Sequence, residues 1–97
     1  MCCNERIYLW MPSQIYNVIL DAIELQKAVI TYDGDGVTRY EVEMYGLTRR
    51  YCATVWPVQQ NRSRVRLDVS SDKGFDAALV EKQFALYESL MLSFRPR

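Results

Sequence analysis

The chain contains few of the residue types from which enzymes build active sites. It has no histidine among its 97 residues, which excludes Ser-His-Asp and Cys-His nucleophilic catalysis and histidine-ligated metal sites. Cys52 is a thiol without a neighbouring base, and such thiols are generally inert. The carboxylate pairs Glu41/Glu43 and Asp33/Asp35 are expected to be solvated, which does not suit general acid–base catalysis. The sequence therefore predicts a protein that is not an enzyme and uses no cofactor or metal.

The tetrad Asp33-Gly34-Asp35-Gly36 has the acidic, glycine-rich character of a calcium-binding loop. An EF-hand loop that began at Asp33 would need an oxygen ligand at its fifth position and a bidentate glutamate at its twelfth. Those positions hold Val37 and Met44, so the calcium interpretation fails. Two glycines in four residues instead supply the positive φ angles of a tight turn, and the tetrad predicts a β-hairpin.

Basic residues cluster in the middle of the chain, where five arginines and no acidic residue lie between positions 49 and 66. A basic surface that includes an aromatic side chain is typical of domains that hold single-stranded nucleic acid. The whole chain nevertheless balances 12 Lys and Arg against 12 Asp and Glu, and nearby carboxylates are expected to cancel the local field. Nucleic-acid binding is therefore disfavoured. The residues expected on a candidate interaction face are Arg39, Arg50, Trp56, Arg64 and Arg66.

Tyrosine and phenylalanine side chains recur at positions expected to point inward. If the sheet curves, these rings could line a cavity whose hydroxyl groups orient a hydrophobic ligand. The candidate cavity residues are Tyr40, Tyr51, Phe84 and Tyr87. The alternative is that the rings fill the core, and it is favoured because a small domain can hardly spare the stability that a cavity costs.

The spacing of apolar residues predicts one α+β domain over residues 1–97, with the element order β-α-β-β-β-β-α. Alternation of apolar and polar residues predicts strands over Glu5–Trp10, Ala28–Tyr32, Val37–Tyr45, Arg50–Val58 and Ser63–Val69. Apolar stripes at helical spacing predict one helix from an N-cap at Ser13 to about Lys27 and a second over Asp76–Phe94. Because each clear strand has one apolar and one charged face, we expect an antiparallel meander sheet with one face covered by the two helices.

The inward faces of neighbouring strands must agree, and this condition predicts their register. Between the fourth and fifth strands, Val55 is expected opposite Val65. Between the third and fourth strands, Met44 is expected opposite Tyr51. On the outward face, this alignment gives one row that consists of Arg39, Trp56 and Arg64.

Four segments carry a resemblance to a known arrangement: the strand Arg6–Trp10, the helix start Pro12-Ser13, the strand Val65–Val69 and the helix Asp76–Phe94. Their order is similar to the helix-grip fold of START-like and Bet v 1-like domains, in which the last helix lies across a curved sheet. The resemblance covers most of the chain as an order of elements, without a diagnostic motif, and is closest to reduced versions found in small bacterial domains. It implies a hydrophobic ligand beneath the last helix, although a fold alone does not determine function.

Three cysteines, Cys2, Cys3 and Cys52, fit free thiols better than a disulfide framework, because their number is odd and two of them are adjacent. The sequence therefore favours a cytoplasmic protein. The alternative is a membrane-anchored lipoprotein modified at Cys2, if a signal segment has been removed. No run of 18 apolar residues is present, so no transmembrane helix is expected.

Three functional hypotheses remain. The first is a small non-enzymatic binding or protein-interaction module that joins a second copy or a protein partner through its charged sheet face or an edge strand. The second is a carrier of a small hydrophobic ligand, with its cavity between the sheet and the C-terminal helix. The third is a weak nucleic-acid binder that acts through the sheet face around Arg64 and Arg66.

Overall fold

A computed structural model describes residues 4–59, 61–72 and 74–93 of the chain. Within them, an antiparallel sheet and two helices form the predicted α+β arrangement, to which the structure adds a two-residue strand before the last helix. The strands are β1 (Glu5–Tyr8), β2 (Val29–Gly34), β3 (Val37–Met44), β4 (Leu47–Gln59), β5 (Arg62–Ser71) and β6 (Gly74–Phe75). The helices are α1 (Pro12–Gln26) and α2 (Ala77–Ser93).

The strands pair in the order β1-β5-β4-β3-β2, and β6 also pairs with β5. Strand β1 lies along residues 63–66 of β5, while β6 lies along residues 70–71, so that the two short strands follow each other on one side of β5. Strand β2 forms the opposite edge of the sheet and pairs only with β3 among the described strands.

Both helices pack on one face of the sheet, and this confirms the predicted one-sided coverage. On β5, Val65, Leu67 and Val69 are fully buried beneath the helices, while the polar residues between them face away. The helices contribute the residues at the predicted spacing: Ile15, Val18, Ile19, Ala22 and Ile23 from α1, and Val80, Phe84, Tyr87 and Met91 from α2. Phe94, predicted to continue the α2 stripe, lies outside the described residues.

The predicted register is correct for one hairpin and wrong for another. Val55 pairs with Val65, as expected from the inward faces of β4 and β5. Tyr51 of β4, however, pairs with Tyr40 rather than with Met44.

The cause of this shift is the turn between β3 and β4. It contains only Tyr45 and Gly46, which both have positive φ, at 55° and 77°. Two such residues form a type I′ turn, which matches the twist of the flanking strands. Strand β4 therefore begins at Leu47 rather than at the predicted Arg50.

Helix α1 begins two residues earlier than a cap at Ser13 would allow. Pro12 is its first residue, where a fixed φ is favourable and no N–H is lost, and Met11 occupies the N-cap position. The side chain of Gln14 accepts a hydrogen bond from the Met11 backbone N–H at 2.9 Å. Helix α2 begins as predicted, after Asp76, whose carboxylate accepts bonds from two backbone N–H groups of the first turn. Neither described helix combines the length and apolar character needed to cross a membrane.

The two tight turns provide a matched test of the hairpins. Gly36 follows Asp35 in a turn of the same type, with φ of 78°, and an added Cβ there would lie 2.6 Å from the carbonyl oxygen of Val55. An added Cβ at Gly46 would meet nothing within 4 Å. We expect Gly46→Ala to lower the free energy of unfolding by about 1 kcal/mol through backbone strain, and Gly36→Ala by at least ~2 kcal/mol because a steric clash is added. Equilibrium urea unfolding measures both, and equal losses would contradict the Gly36 contact.

Candidate interaction surface

The four aromatic residues predicted to line a ligand cavity do lie together between the sheet and the helices. Tyr40 and Tyr51 stack with ring centroids 4.9 Å apart, and Phe84 meets Tyr87 edge to face at 6.3 Å. Three of the four side chains are completely buried, and Tyr51 is 4% exposed. This packing favours the alternative interpretation, in which the rings fill the core, and the ligand cavity stays a prediction.

A buried chain of hydrogen bonds links these rings to both helices. The hydroxyl groups of Tyr40 and Tyr87 are hydrogen-bonded to each other, and the Gln83 amide donates to the Tyr40 hydroxyl at 2.8 Å. Gln83 also exchanges two hydrogen bonds with the amide of Gln26, the last residue of α1, at 2.7 and 3.0 Å. Burial raises the pKa of both tyrosine hydroxyls, which therefore remain neutral. The network is structural, and its sequence signal is a glutamine inside the apolar stripe of α2.

Removing single hydroxyl groups tests this network. Tyr40→Phe deprives both Gln83 and the Tyr87 hydroxyl of a partner inside the core, whereas Tyr87→Phe leaves the Gln83 bond to Tyr40 intact. We expect losses in the free energy of unfolding of about 2 kcal/mol for Tyr40→Phe and about 1 kcal/mol for Tyr87→Phe, because unsatisfied buried groups carry a desolvation cost. Urea unfolding of the two variants checks which one loses more of its free energy of unfolding. A larger loss for Tyr87→Phe than for Tyr40→Phe would show that the hydrogen-bond network is assigned incorrectly.

A second cluster, which the sequence analysis missed, fastens β1 to α2. The guanidinium group of Arg6 contacts Glu81 at 2.6 Å and Glu88 at 2.7 Å, and it lies 4.6 Å from the ring centroid of Phe84. The Tyr8 hydroxyl donates to the same Glu88 carboxylate at 2.7 Å. Glu81 and Glu88 are two helical turns apart, so they share one face of α2. Recognising the cluster from the sequence would have required knowing that β1 lies beside α2.

The protonation states of this cluster suit a fixed ion pair. Burial alone would raise the pKa of the Glu88 carboxyl. Hydrogen bonds from Tyr8 and Arg6 outweigh this effect and lower the pKa below its usual value. Burial and the bond to Glu88 raise the pKa of the Tyr8 hydroxyl. The Glu88 carboxylate therefore stays ionised and the Tyr8 phenol stays neutral at physiological pH. These fixed states suit the attachment of β1 to α2 better than they suit proton transfer.

The lowered pKa of Glu88 predicts a pH dependence of stability. A carboxyl group whose pKa is lower in the folded state stabilises the fold above its unfolded pKa, near 4.5, and this contribution is lost as the pH falls through the folded value. We expect Glu88→Gln to cost about 1 kcal/mol at neutral pH and to weaken the loss of stability on acidification below pH 4.5. Urea unfolding across this range measures both effects, with exposed Glu24→Gln as the control for removing one carboxylate. A Glu88→Gln chain with the wild-type acid dependence would contradict the assignment.

All five residues of the predicted interaction face lie on the sheet face opposite the helices, which we call the open face. Arg64 pairs with Trp56, and its guanidinium carbon lies 5.7 Å from the indole centroid, as predicted. Arg39 does not belong to that row, because the shifted β3–β4 register places it opposite Cys52. Its guanidinium carbon lies 5.7 Å from the ring centroid of Tyr32 on β2 instead.

Carboxylates accompany the arginines across the open face. Ion pairs of 3.2–3.9 Å join Arg50 to Glu41 and Asp72, Arg64 to Glu5, and Arg66 to Asp68. These side chains are substantially exposed, so each pair contributes little to stability. These carboxylates offset the charges of Arg50, Arg64 and Arg66, which gives a phosphate backbone less continuous positive field to follow.

The open face also carries the free thiol of Cys52, which is half-buried between the rows of charge. Its direct cross-strand neighbours are Arg39 and Asp68, which have opposite charges. Within residues 4–59, 61–72 and 74–93, no three acidic or cysteine side chains converge in a way that could hold a metal ion. Cys2 and Cys3 lie outside these residues.

Apolar side chains are exposed along the opposite edge, at β2. Val29 is 66% exposed, Ile30 42%, Tyr32 46%, and Met44 on the adjoining β3 is 44% exposed. We call these four side chains the β2-edge surface. A bulge between Ile30 and Tyr32 interrupts the pairing with β3, so that Val29 and Tyr32 both lie on the open-face side and Ile30 on the helix side. The sequence analysis predicted the strand but not its exposure.

The two edges of the sheet differ in their protection. On one side, β1 and β6 cover β5, and β1 itself is only four residues long and contains the charged Glu5 and Arg6. Short length and charge are common devices that prevent an edge from pairing with another chain. Strand β2 has six residues, and its exposed Val29 and Ile30 are β-branched. The β2 edge is therefore the better candidate for strand pairing.

Comparison with known proteins adds no assignment. No protein-family model matches the chain, and neither do any curated proteins or solved structures. The resemblance to helix-grip domains stays a prediction, and the functional argument depends on the geometry of the β2-edge surface and the open face.

Proposed function

We propose that the chain is a small non-enzymatic protein-interaction module that binds its partner through the β2-edge surface. The observation that carries the proposal is the exposure of Val29, Ile30 and Tyr32 on a six-residue strand that pairs on one side only among the described strands, while the other edge of the sheet consists of two shorter strands. A small domain that leaves apolar side chains on an edge strand exposes the features that strand-adding partners recognise.

The amount of apolar surface supports binding of modest strength. With roughly 150–200 Å² for a fully exposed side chain of this size, the β2-edge surface exposes roughly 350 Å². At about 25 cal/mol per Å², covering it contributes about 9 kcal/mol, which is comparable to the cost of association. Backbone hydrogen bonds from the free side of β2 would have to add to this contribution, which favours a partner that presents an extended strand.

The other hypotheses receive less support from the same observations. The ion pairs across the open face weaken the case for nucleic acid, and the packed rings of Tyr40 and Tyr87 occupy the space that a hydrophobic ligand would need. The open face adjoins the β2 edge through the contact of Arg39 with Tyr32. A partner strand beside β2 would therefore also lie next to charged side chains, which can contribute specificity.

A single lysine placed on the edge tests the proposal. Val29→Lys puts a charge on the proposed contact, and Val58→Lys is the matched control, because Val58 is an exposed apolar residue at the far end of β4, beyond the residues that pair with β3 and away from Val29. We expect tagged wild-type chain to retain protein from its source cells, including untagged copies of itself, and Val29→Lys to retain at least tenfold less. Quantitative mass spectrometry measures retention, and circular dichroism confirms that the variants fold.

Two outcomes would overturn the proposal. In one, Val29→Lys and wild type retain the same proteins in the same amounts. In the other, Val58→Lys causes the same loss as Val29→Lys, which would assign binding to a surface other than the β2 edge.

A further inference from the structure

We infer that the β2-edge surface binds a second copy of this chain, through antiparallel pairing of the two β2 strands about a two-fold axis at Ile30. The inference rests on the proposed function, because it names the partner of that same surface. It would create one continuous sheet across both chains, with all four helices on one side.

The difference between the two edges favours a closed pair. The β2 edge is a six-residue strand whose exposed side chains include Val29 and Ile30, whereas the opposite edge consists of the four-residue β1, in which the charged Glu5 and Arg6 precede the exposed Ile7, and the two-residue β6. Pairing of identical β2 edges about a two-fold axis closes the pair, and among the described strands it leaves only the short β1 and β6 along the remaining edge of each sheet. A second copy therefore matches the surface without requiring any complementary partner.

The bulge in β2 limits the possible registers. Directly opposed residues of antiparallel strands must point to the same face of the sheet. Val29 lies on the open-face side and Ile30 on the helix side, while Thr31 lines a depression on the open face beside Arg39. An axis at Ile30 opposes Ile30 to its own copy and Val29 to Thr31 of the partner, and both pairs satisfy the condition. The bulge ends this regular pairing at Tyr32, which points to the open face while the opposed Ala28 packs against the core on the helix side. An axis at Thr31 would oppose Ile30 to Tyr32, which point to opposite faces.

Charge complementarity favours the same register. Lys27 is the C-cap residue of α1, two residues before β2, and Asp33 lies near the end of β2, where its carboxylate accepts a hydrogen bond from the Tyr16 hydroxyl; Lys27 and Asp33 are both exposed. With the axis at Ile30, Lys27 of each chain faces Asp33 of the other, so the pair contains two matched contacts of opposite charge. A parallel arrangement would instead place equal charges side by side.

The buried area sets the expected strength. Two copies of the β2-edge surface provide roughly 700 Å² of apolar side chain, and the paired backbone brings the total to about 1,000 Å², at the low end for specific interfaces. We therefore expect a reversible dimer with a dissociation constant on the order of 10–100 µM.

Sedimentation velocity and light scattering from about 1 to 500 µM test the dimer. We expect the wild-type chain to change from monomer to dimer across this range. Val29→Lys is expected to raise the dissociation constant at least tenfold, and Val58→Lys to leave it unchanged. Lys27→Glu should weaken the dimer, and the double variant Lys27→Glu/Asp33→Lys should restore it, because the two charges exchange places.

Disulfide trapping tests the register. In a chain whose Cys2, Cys3 and Cys52 are replaced by serine, Ile30→Cys should form a disulfide with its own copy under mild oxidation. Tyr32→Cys should not, because in this register it faces residue 28 of the partner. Preferential cross-linking of Ile30→Cys supports the axis at Ile30.

Three results would overturn the inference: a wild-type chain that stays monomeric at about 500 µM, a dimer that Val29→Lys leaves unchanged, or cross-linking of Tyr32→Cys as readily as Ile30→Cys. A chain that stays monomeric yet retains another protein through Val29 would overturn self-pairing and leave the proposed interaction function standing. A chain that neither dimerises nor retains another protein through Val29 would overturn both self-pairing and the proposed interaction function.

Discussion

The attachment of α2 to one face of the sheet is the constraint on which the rest of the structure depends. It is made by apolar packing and fixed by the bonds that join the Tyr40 and Tyr87 hydroxyls and link Gln83 to Gln26 of α1. Buried polar groups accept few alternative arrangements, so these bonds define where each helix lies. Both helices are committed to this face, which leaves the charged face and the β2 edge to solvent or to a partner.

The residue pattern alone was sufficient to predict the strands, the helices and their inward faces wherever burial determines them. The alternation of Val65, Leu67 and Val69 predicted β5 and its inward face, and the apolar stripes predicted the inward faces of both helices. The register of β4 against β5 followed from the same condition, because a slip would have turned apolar residues to water. The β3–β4 register did not follow from this condition. A two-residue turn with positive φ at Tyr45 allowed a tighter hairpin, in which the apolar residues of both strands also point inward.

The candidate surface was harder to predict, because it depends on relations between distant elements. The sequence indicated that Arg64 and Arg66 lie on an outward face together with Asp68, but the carboxylate that pairs with Arg64 comes from Glu5 of the distant strand β1. The exposure of β2 depends on the absence of a covering element among the described residues, and no local pattern reports this. The bulge that turns Tyr32 to the open face interrupts an alternation that would otherwise continue.

The pairing of β1 with β5 has a consequence for the order in which the chain assembles. Strand β1 is the first of the described strands to be synthesised, but its partner residues 63–66 are made only after three further strands and a helix. The hairpins from β2 to β5 join neighbours in sequence, so they can close without waiting for either end of the chain, and local pairings form fastest. Strand β1 therefore leaves the ribosome before the other described strands but is among the last of them to be paired, and its pairing with β5, together with the docking of α2, completes the described arrangement of sheet and helices.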